Sequence, residues 1–521
     1  MATPSEKLAA SLQILHEIQE EQKIVAIKTT EINRTHRERL TKNGFLKEVA
    51  KGWYIAANPN ENLGDSTSWY TSYWQFCSRY LKDKYDNSYC ISAEQSILIH
   101  SGNNTVPSQL IIRSPKGPNK NIPLLHNTSL FEMKSPLPNI AEIIEIKGVR
   151  VITLTSALIN CSPTMFEKNP TDMRAVLALI SDSSEILAQL LDGSHSVIAG
   201  RLAGAFRNIG QDRIADEIVS TMKMADFDVR EVDPFESKST VKLSFREKSP
   251  YANRIKLMWE EYRKIVIKHF PNGPGLTEND EEYLKSVDQI YLTDAYHSLS
   301  IERYTVSVEL IEKVRSGDWD LEENEEDRNQ RDAMAARGYW QASQSIKNSI
   351  KKILGGTNSG IIADQDHTKW YQELFAPSVT VGILKASDLA GYRTNQVYIS
   401  QSQHVPLNKD AVRDAMPILF ELLENENNAG VRAVLGHFIF VYIHPYMDGN
   451  GRMARFLMNL MLASGGYPWT VIPVEERKTY MNSLEKASVE GDIEPFTIFI
   501  SDLVKESLKG TPIAKLKTKK V

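Results

Sequence analysis

Apolar residues recur at helical spacing from the start of the chain. Leu8, Leu12, Leu15, Ile18 and Ile24 predict a helix within Lys7–Val25. A second helix is expected over Thr30–Asn43, closed by Gly44. The pattern then shortens, and two apolar runs around Lys51–Gly52 read as a β-hairpin ending near Ile55. From Tyr89 a strand leads into a helix start at Ser92–Ser96, and strand-like runs follow at Gln109–Arg113, Ile122–Leu125 and Val149–Leu154. Thr155–Cys161 and Asp172–Leu191 return to helical spacing, and Phe227–Pro250 reads as a boundary or extended link. Near the C-terminus an apolar helical stretch, Val431–Ile443, is stopped by Pro445. A further helix over Gly451–Ser464 has Leu457, Leu460 and Met461 on its core face.

A chain of 521 residues is too long for one ordinary core and predicts two to four domains. Its composition is 41% hydrophobic and 24% charged, within the globular range, and a net charge of −5 selects no class of partner. Cys77, Cys90 and Cys161 are widely spaced and odd in number, which fits a reducing compartment with buried thiols. No Cys/His cluster has zinc spacing. The N-terminus lacks a basic start followed by an apolar run, and no stretch approaches the roughly 20 apolar residues of a membrane span. A cytoplasmic protein without a membrane partner is therefore expected.

Chemistry concentrates in His444-Pro445-Tyr446-Met447-Asp448-Gly449-Asn450-Gly451-Arg452-Met453-Ala454-Arg455. Asp448 is a hard oxygen ligand of the kind Mg²⁺ accepts beside phosphate oxygens. Gly449 and Gly451 allow backbone N–H groups to approach an anion, and the N-terminus of the helix that follows would face it. Arg452 and Arg455, three apart, can reach the same pole with guanidinium groups suited to phosphate. A base, a carboxylate, a glycine cradle and two arginines form a phosphoryl-transfer site. A helix–turn–helix with capping residues explains no more than half of these positions.

This stretch resembles the Fic family motif, His-Pro-Phe-x-Asp/Glu-Gly-Asn-Gly-Arg-x-x-Arg, with Tyr446 in place of the phenylalanine. The resemblance implies transfer of AMP from ATP to a Tyr, Thr or Ser hydroxyl of a target protein. It implies His444 as general base, Asp448 on Mg²⁺, and Gly449, Asn450, Gly451 and Arg452 on the α- and β-phosphates, with Arg455 on the γ-phosphate. Ser298-Leu299-Ser300-Ile301-Glu302-Arg303 resembles the family's inhibitory helix, Ser/Thr-x-x-x-Glu-Gly/Asn. Ser298 and Glu302 match it, and Arg303 departs from its last position. Glu302 would then pair with Arg455 and block a productive γ-phosphate. Ala390–Ser400 resembles the family's lead into a hairpin flap, which implies that Val397, Tyr398, Ile399 and Ser400 lie beside the nucleotide and align a target segment. Only Tyr392 separates Gly391 from Arg393, one residue fewer than the family usually has. Tyr480, Leu484 and Ala487 resemble the lining of its adenine pocket. His437, seven residues before His444, reads as an internally packed histidine rather than a metal ligand.

The helices and hairpin at the N-terminus resemble a winged helix, and the first 230 residues or so are similar to the antitoxins of abortive-infection systems. In residues 28–55 the basic Lys28, Arg34, Arg37, Arg39, Lys42, Lys47 and Lys51 outnumber the acids, which suits a DNA backbone; packing or dimerisation is the alternative use. The expected architecture is multidomain α+β. A winged helix spans 1–60 and an α/β regulatory domain 61–235. An all-α Fic fold with a β-hairpin flap spans 249–508, and a basic tail 509–521. Gly317–Asp332 is acidic and reads as a solvated loop. An autoinhibited adenylyltransferase is the leading expectation, with a homo-oligomer compatible with it. A DNA-binding, nucleotide-sensing regulator is the alternative, as is a de-AMPylase that uses Glu302 to position water.

Overall fold

The computed structural model of the chain describes residues 3–21, 23–59, 66–236, 249–276, 279–317 and 327–516. The link at Ser237–Thr240, most of the acidic stretch 317–332 and the tail from Lys517 lie outside these residues. Two compact units result. One comprises Met1–Arg254 with Tyr398–Val405, the other Ile255–Val397 with Pro406–Val521.

In the first unit, α1 (Pro4–His16) starts at a capping box in which Thr3 and Glu6 satisfy each other's backbone N–H groups. It packs with α2 (Arg34–Lys42) over the three-stranded antiparallel sheet β1 (Ala26–Lys28), β3 (Trp53–Ala56) and β2 (Leu46–Ala50), in that spatial order. The hairpin turns at Lys51–Gly52, where Gly52 adopts φ +80°, and a bulge lies between Glu48 and Ala50. The helix expected to reach Val25 ends earlier, and strand β1 follows just beyond it, where Ile27, with Ile24 packed against it, joins the small core under the sheet. Four of the basic residues over 28–55 have partners within the unit. Lys28 binds Asp83, Arg34 binds Glu38, Arg39 donates to Lys7 O and Ser11 Oγ, and Arg37 stacks on Tyr54.

The hairpin's other face continues into a larger core. Trp53 and Ile55 pack with Trp69, Tyr73 and Phe76 of α3 (Thr67–Tyr85), so residues before and after 60 share one hydrophobic interior. Beyond α3 come β4 (Cys90–Ile91), α4 (Ala93–His100), β5 (Gln109–Ser114), β6 (Lys120–Pro123) and β7 (Ser129–Lys134). These strands form a sheet in the order β4-β5-β7-β6, in which β5 and β7 are parallel. A separate hairpin pairs β8 (Ile143–Ile146) with β9 (Val149–Ile152). Six helices follow: α5 (Leu154–Asn160), α6 (Thr164–Lys168), α7 (Pro170–Leu177), α8 (Ser184–Asp192), α9 (Ser196–Asn208) and α10 (Asp212–Met224). The single helix expected over Asp172–Leu191 is thus two, interrupted before Ser184. Buried Asp172 accepts hydrogen bonds from Ser101 and Arg254 and ties this helical layer to the loop after α4.

The second unit is helical. After α11 (Pro250–His269) come α12 (Asp280–Ile301), α13 (Val308–Ser316), α14 (Asp327–Leu354), α15 (Ser359–Thr380), α16 (Lys409–Asn425), α17 (Ala429–Ile443), α18 (Asn450–Ala463), α19 (Arg477–Glu485) and α20 (Glu494–Leu508). Helices α17 and α18 pack against each other at the centre and are buried on nearly every face, with α14, α15, α16 and α20 around them. That explains the sequence of α17: a helix apolar nearly all round is stable inside a shell of other helices.

The flap expectation is corrected. Residues 393–399 carry no strand, and the chain turns at Ser400–Gln401. A ladder is prevented because the returning limb spends its backbone elsewhere and contains Pro406. Gln403 O accepts the N–H of Val106 (3.0 Å), and Tyr398–Val405 cluster with the first unit. Within the second unit, the Gln396 side chain donates to Pro406 O (2.9 Å) and closes the base of the loop.

Candidate active site

Helix α17 ends at His444, whose φ of +56° and ψ of +61° turn the chain out of the helix immediately before Pro445. The half-buried imidazole is fixed by Nδ1 donating to Val441 O at 3.2 Å, a tautomer that leaves the Nε2 lone pair available. Burial lowers its pKa to about 4, and the Arg393 guanidinium contributes in the same direction. Arg393 also builds the turn. Its Nε donates to His444 O (2.8 Å), its Nη1 to Asn395 O (3.0 Å) and its Nη2 to Leu407 O, while its own N–H donates to Pro445 O (2.9 Å). Burial thus favours the neutral imidazole, which is held from both sides.

The loop after His444 is closed by Asn450, whose Oδ1 accepts the Tyr446 N–H and whose Nδ2 donates to Tyr446 O. This amide is occupied by the Tyr446 backbone, so it is the backbone of Asn450 that is left to meet a ligand. Tyr446 stacks on Tyr371 with ring centroids 3.8 Å apart, which fills the position the family gives to phenylalanine. Gly449 sits at φ +78°, and a Cβ there would also lie 2.7 Å from the Phe375 ring; glycine is required on both counts. Helix α18 begins at Asn450 with no side-chain cap, so the N–H groups of its first turn point out of the helix.

The two arginines are in different states. Arg455 is buried and saturated on one edge: Nε donates to Ser298 Oγ (2.8 Å), and Nη2 to Ser298 O (3.0 Å) and Glu302 Oε1 (2.8 Å). Burial opposes its charge, but the Glu302 carboxylate together with the oxygens of Tyr480 and Tyr339 outweighs that and raises its pKa. Arg452, equally buried, has no hydrogen-bond partner at Nε or Nη2 and lies 3.5 Å from Asp448 Oδ2. The Glu302 carboxylate lies against the first turn of α18, where a Cβ on Gly451 would collide with Oε1. Ser298, Glu302 and Arg455 are thus brought together, with Ser298 of α12 and its C-cap Glu302, four residues apart, on one face toward α18.

The end of α12 explains the departure at Arg303. Tyr304 N–H donates to Leu299 O and Arg303 N–H to Ser300 O, a Schellman closure in which Arg303 occupies the left-handed position at φ +67°. Glycine and asparagine are favoured there by conformation, and arginine keeps the same geometry under strain. Arg477 of α19 donates to Ile301 O (2.8 Å) and anchors this helix end.

Asp448 is 65% exposed and accepts the Gly449 N–H at 2.6 Å. Among the described residues no group of three or more His, Cys, Asp or Glu could hold a metal ion. One open carboxylate beside unpartnered guanidinium donors fits Mg²⁺ carried in with a nucleotide's phosphates, an ion that takes one or two carboxylates. His437 is buried with its pKa lowered to about 3 by burial, and its Nε2 meets Tyr480 Oη at 2.8 Å. Tyr480 is itself buried among His437, Phe496 and Phe499, so it supports the site from within and presents no open face to a base. Val397 belongs to this unit, whereas Tyr398, Ile399 and Ser400 belong to the other. Arg393 was legible in the Gly391–Arg393 lead but not its function; Phe375, Tyr304 and Arg477 carried no sequence signal.

Residues 364–462 match the family model of the Fic/DOC family. Over 121 residues the chain is 39% identical to the protein adenylyltransferase Fic of Drosophila virilis and 38% identical to that of Drosophila melanogaster. Those alignments cover 22% of this chain, which spans about a quarter (24%) of the length of these curated relatives. Among solved structures, Fic-1 residues 134–508 of C. elegans covers 63% of this chain and 91% of its own at 19% identity and a TM-score of 0.37. A Fic domain-containing signalling protein of Bacteroides thetaiotaomicron covers 51% and 99% at 19% identity and a TM-score of 0.31. No helix among the described residues is long and apolar enough to cross a membrane.

Proposed function

We propose that this chain, a Fic/DOC family protein through residues 364–462, transfers AMP from ATP to a Tyr, Thr or Ser hydroxyl of a target protein and is restrained by Glu302. The observation that carries the reading is a neutral, fixed His444 with Nε2 free, next to an uncapped helix N-terminus flanked by two buried arginines. His444 Nε2 takes the proton of the target hydroxyl as its oxygen attacks the α-phosphorus. The new P–O bond forms as the bond from that phosphorus to the α–β bridging oxygen breaks, and pyrophosphate leaves with the electron pair. The first-turn N–H groups at Gly451 and Arg452 and the unpartnered donors of Arg452 stabilise the phosphate charge. Asp448 would hold Mg²⁺, which supplies further neutralisation of that charge.

Restraint follows from competition. A γ-phosphate needs the Arg455 donors that Glu302 and Ser298 now hold, and a carboxylate in the same place repels it. The test is incubation of the wild type, Glu302→Gly and Glu302→Gly/His444→Ala with Mg²⁺ and α-labelled ATP. Label on protein is expected with the Glu302→Gly variant, little with the wild type and none with the double variant. ATP binding without label on Glu302→Gly would overturn the transferase reading; equal labelling of wild type and Glu302→Gly would overturn the restraint. Loss of label from a pre-labelled protein, followed in parallel, separates transfer from removal.

A further inference from the structure

The segment that locks Arg455 also touches Arg452, in a different way. The Arg452 guanidinium lies 5.1 Å from the Tyr304 ring centroid and 4.9 Å from that of Phe375. Tyr304 stands two residues beyond Glu302, and its placement is set by the Schellman closure, since its own N–H donates to Leu299 O at 3.1 Å. A guanidinium held by aromatic faces is oriented through its π-surface and charge, and its N–H groups are not consumed. Arg452 shows that outcome: the side chain is buried, yet Nε and Nη2 have no hydrogen-bond partner. Arg455, held by hydrogen bonds, has spent its Nε and Nη2.

The geometry points to Tyr304 as a positioning residue of the nucleotide site, one that holds Arg452 ready for phosphate while Glu302, two residues away, keeps Arg455 closed. This rests on the proposed function for the identity of the nucleotide. It gives the Ser298–Tyr304 segment two separable parts. Removing the Glu302 carboxylate takes away the ionic partner of Arg455 and leaves its Ser298 bonds and Arg452 in place, whereas displacing the whole segment frees Arg455 altogether and takes Tyr304 from Arg452. Relief of restraint is therefore a local change at Glu302, with Tyr304 retained in the active enzyme.

Phe375 is unsuited to the test because it also abuts Gly449, so Tyr304 is varied. In the Glu302→Gly background, Tyr304→Ala is expected to weaken ATP binding measured by titration calorimetry, and to raise KM for ATP, by about tenfold, with kcat changed less than threefold. Tyr304→Phe, which keeps the ring, is expected within about twofold of its parent on both. ATP affinity and KM unchanged by Tyr304→Ala would overturn the assignment. So would increased labelling by Tyr304→Ala in the otherwise wild-type chain, since that would make Tyr304 part of the lock. Loss of binding in both Tyr304 variants would also overturn it, because the ring would not be the cause. If Glu302→Gly binds ATP and labels nothing, the transferase reading fails while the affinity comparison still decides the role of Tyr304.

Discussion

Gly451 and Glu302 compete for one volume: the carboxylate of Glu302 occupies the space a side chain at 451 would need. The glycine sits in the first turn of α18 with no positive φ, so its backbone accepts alanine; Glu302 Oε1 at 2.3 Å opposes a Cβ, and Arg455 Nη1 at 3.2 Å crowds it less. Gly451→Ala should destabilise the wild type by about 1–3 kcal/mol through overpacking. In the Glu302→Gly background the same substitution should cost less than about 0.5 kcal/mol, because alanine is the better helix former. Denaturant titration of the four chains of this double-mutant cycle measures the coupling. Additive effects would mean that Glu302 does not rest on Gly451 in solution.

Arg303 holds a left-handed position that a Cβ disfavours. Arg303→Gly should therefore stabilise the end of α12 by about 1 kcal/mol and reduce basal AMP transfer, since a firmer helix end presents Glu302 more often. Arg303→Val should do the reverse. Thermal unfolding and labelling with α-labelled ATP read both, and a rise in labelling with Arg303→Gly would contradict the link between helix end and restraint.

Arg393 braces the turn at His444 through His444 O, Asn395 O and Leu407 O. In the Glu302→Gly background, Arg393→Lys should lower kcat by about 100-fold, the order expected for a misplaced base. ATP affinity by calorimetry should remain within about threefold. A lysine cannot reproduce the fork that spans three carbonyls.

Burial depresses the pKa of two histidines, His444 to about 4 and His437 to about 3, from an ordinary value near 6.5. The acid limb of kcat/KM for the Glu302→Gly variant should consequently fall well below pH 6, nearer 4, if the base alone governs it. The same shifts bear on stability. Above pH 6.5 both histidines are neutral in folded and unfolded chains and their contribution is fully present. As pH falls from 6.5 toward 4 the unfolded chain takes up protons that the folded one does not, so stability is lost across that window. Asp294, whose pKa burial raises to about 6, acts oppositely between pH 6 and 3.8. Substituting Asn for Asp294 should therefore steepen the loss of stability between pH 6 and 4, as followed by denaturant midpoints.

The local arrangement of the candidate site was readable from the chain. His444, Asp448, the two glycines and the two arginines are specified by residue type and spacing, because a turn between two helices leaves few places for them to go. The apolar identity of α17 and α18 likewise announces a central buried pair, and Ser298 and Glu302 share a face because they stand one turn apart. The hairpin around Gly52 follows from its turn residue and the flanking apolar runs.

Tertiary structure alone decided how the two arginines differ. Nothing in the order Arg452-Met453-Ala454-Arg455 says that one is held by rings and the other by a carboxylate, since Tyr304, Phe375 and Glu302 arrive from segments far away in sequence. The fates of Arg393, Asn450 and Tyr480 were set in the same way, by which carbonyl, backbone group or imidazole the packing placed within reach. It also decided the failed hairpin at 397–400, whose returning limb gave its backbone to Val106. Short-range geometry is encoded in neighbours along the chain; which donor meets which acceptor across the core is settled only when the helices pack.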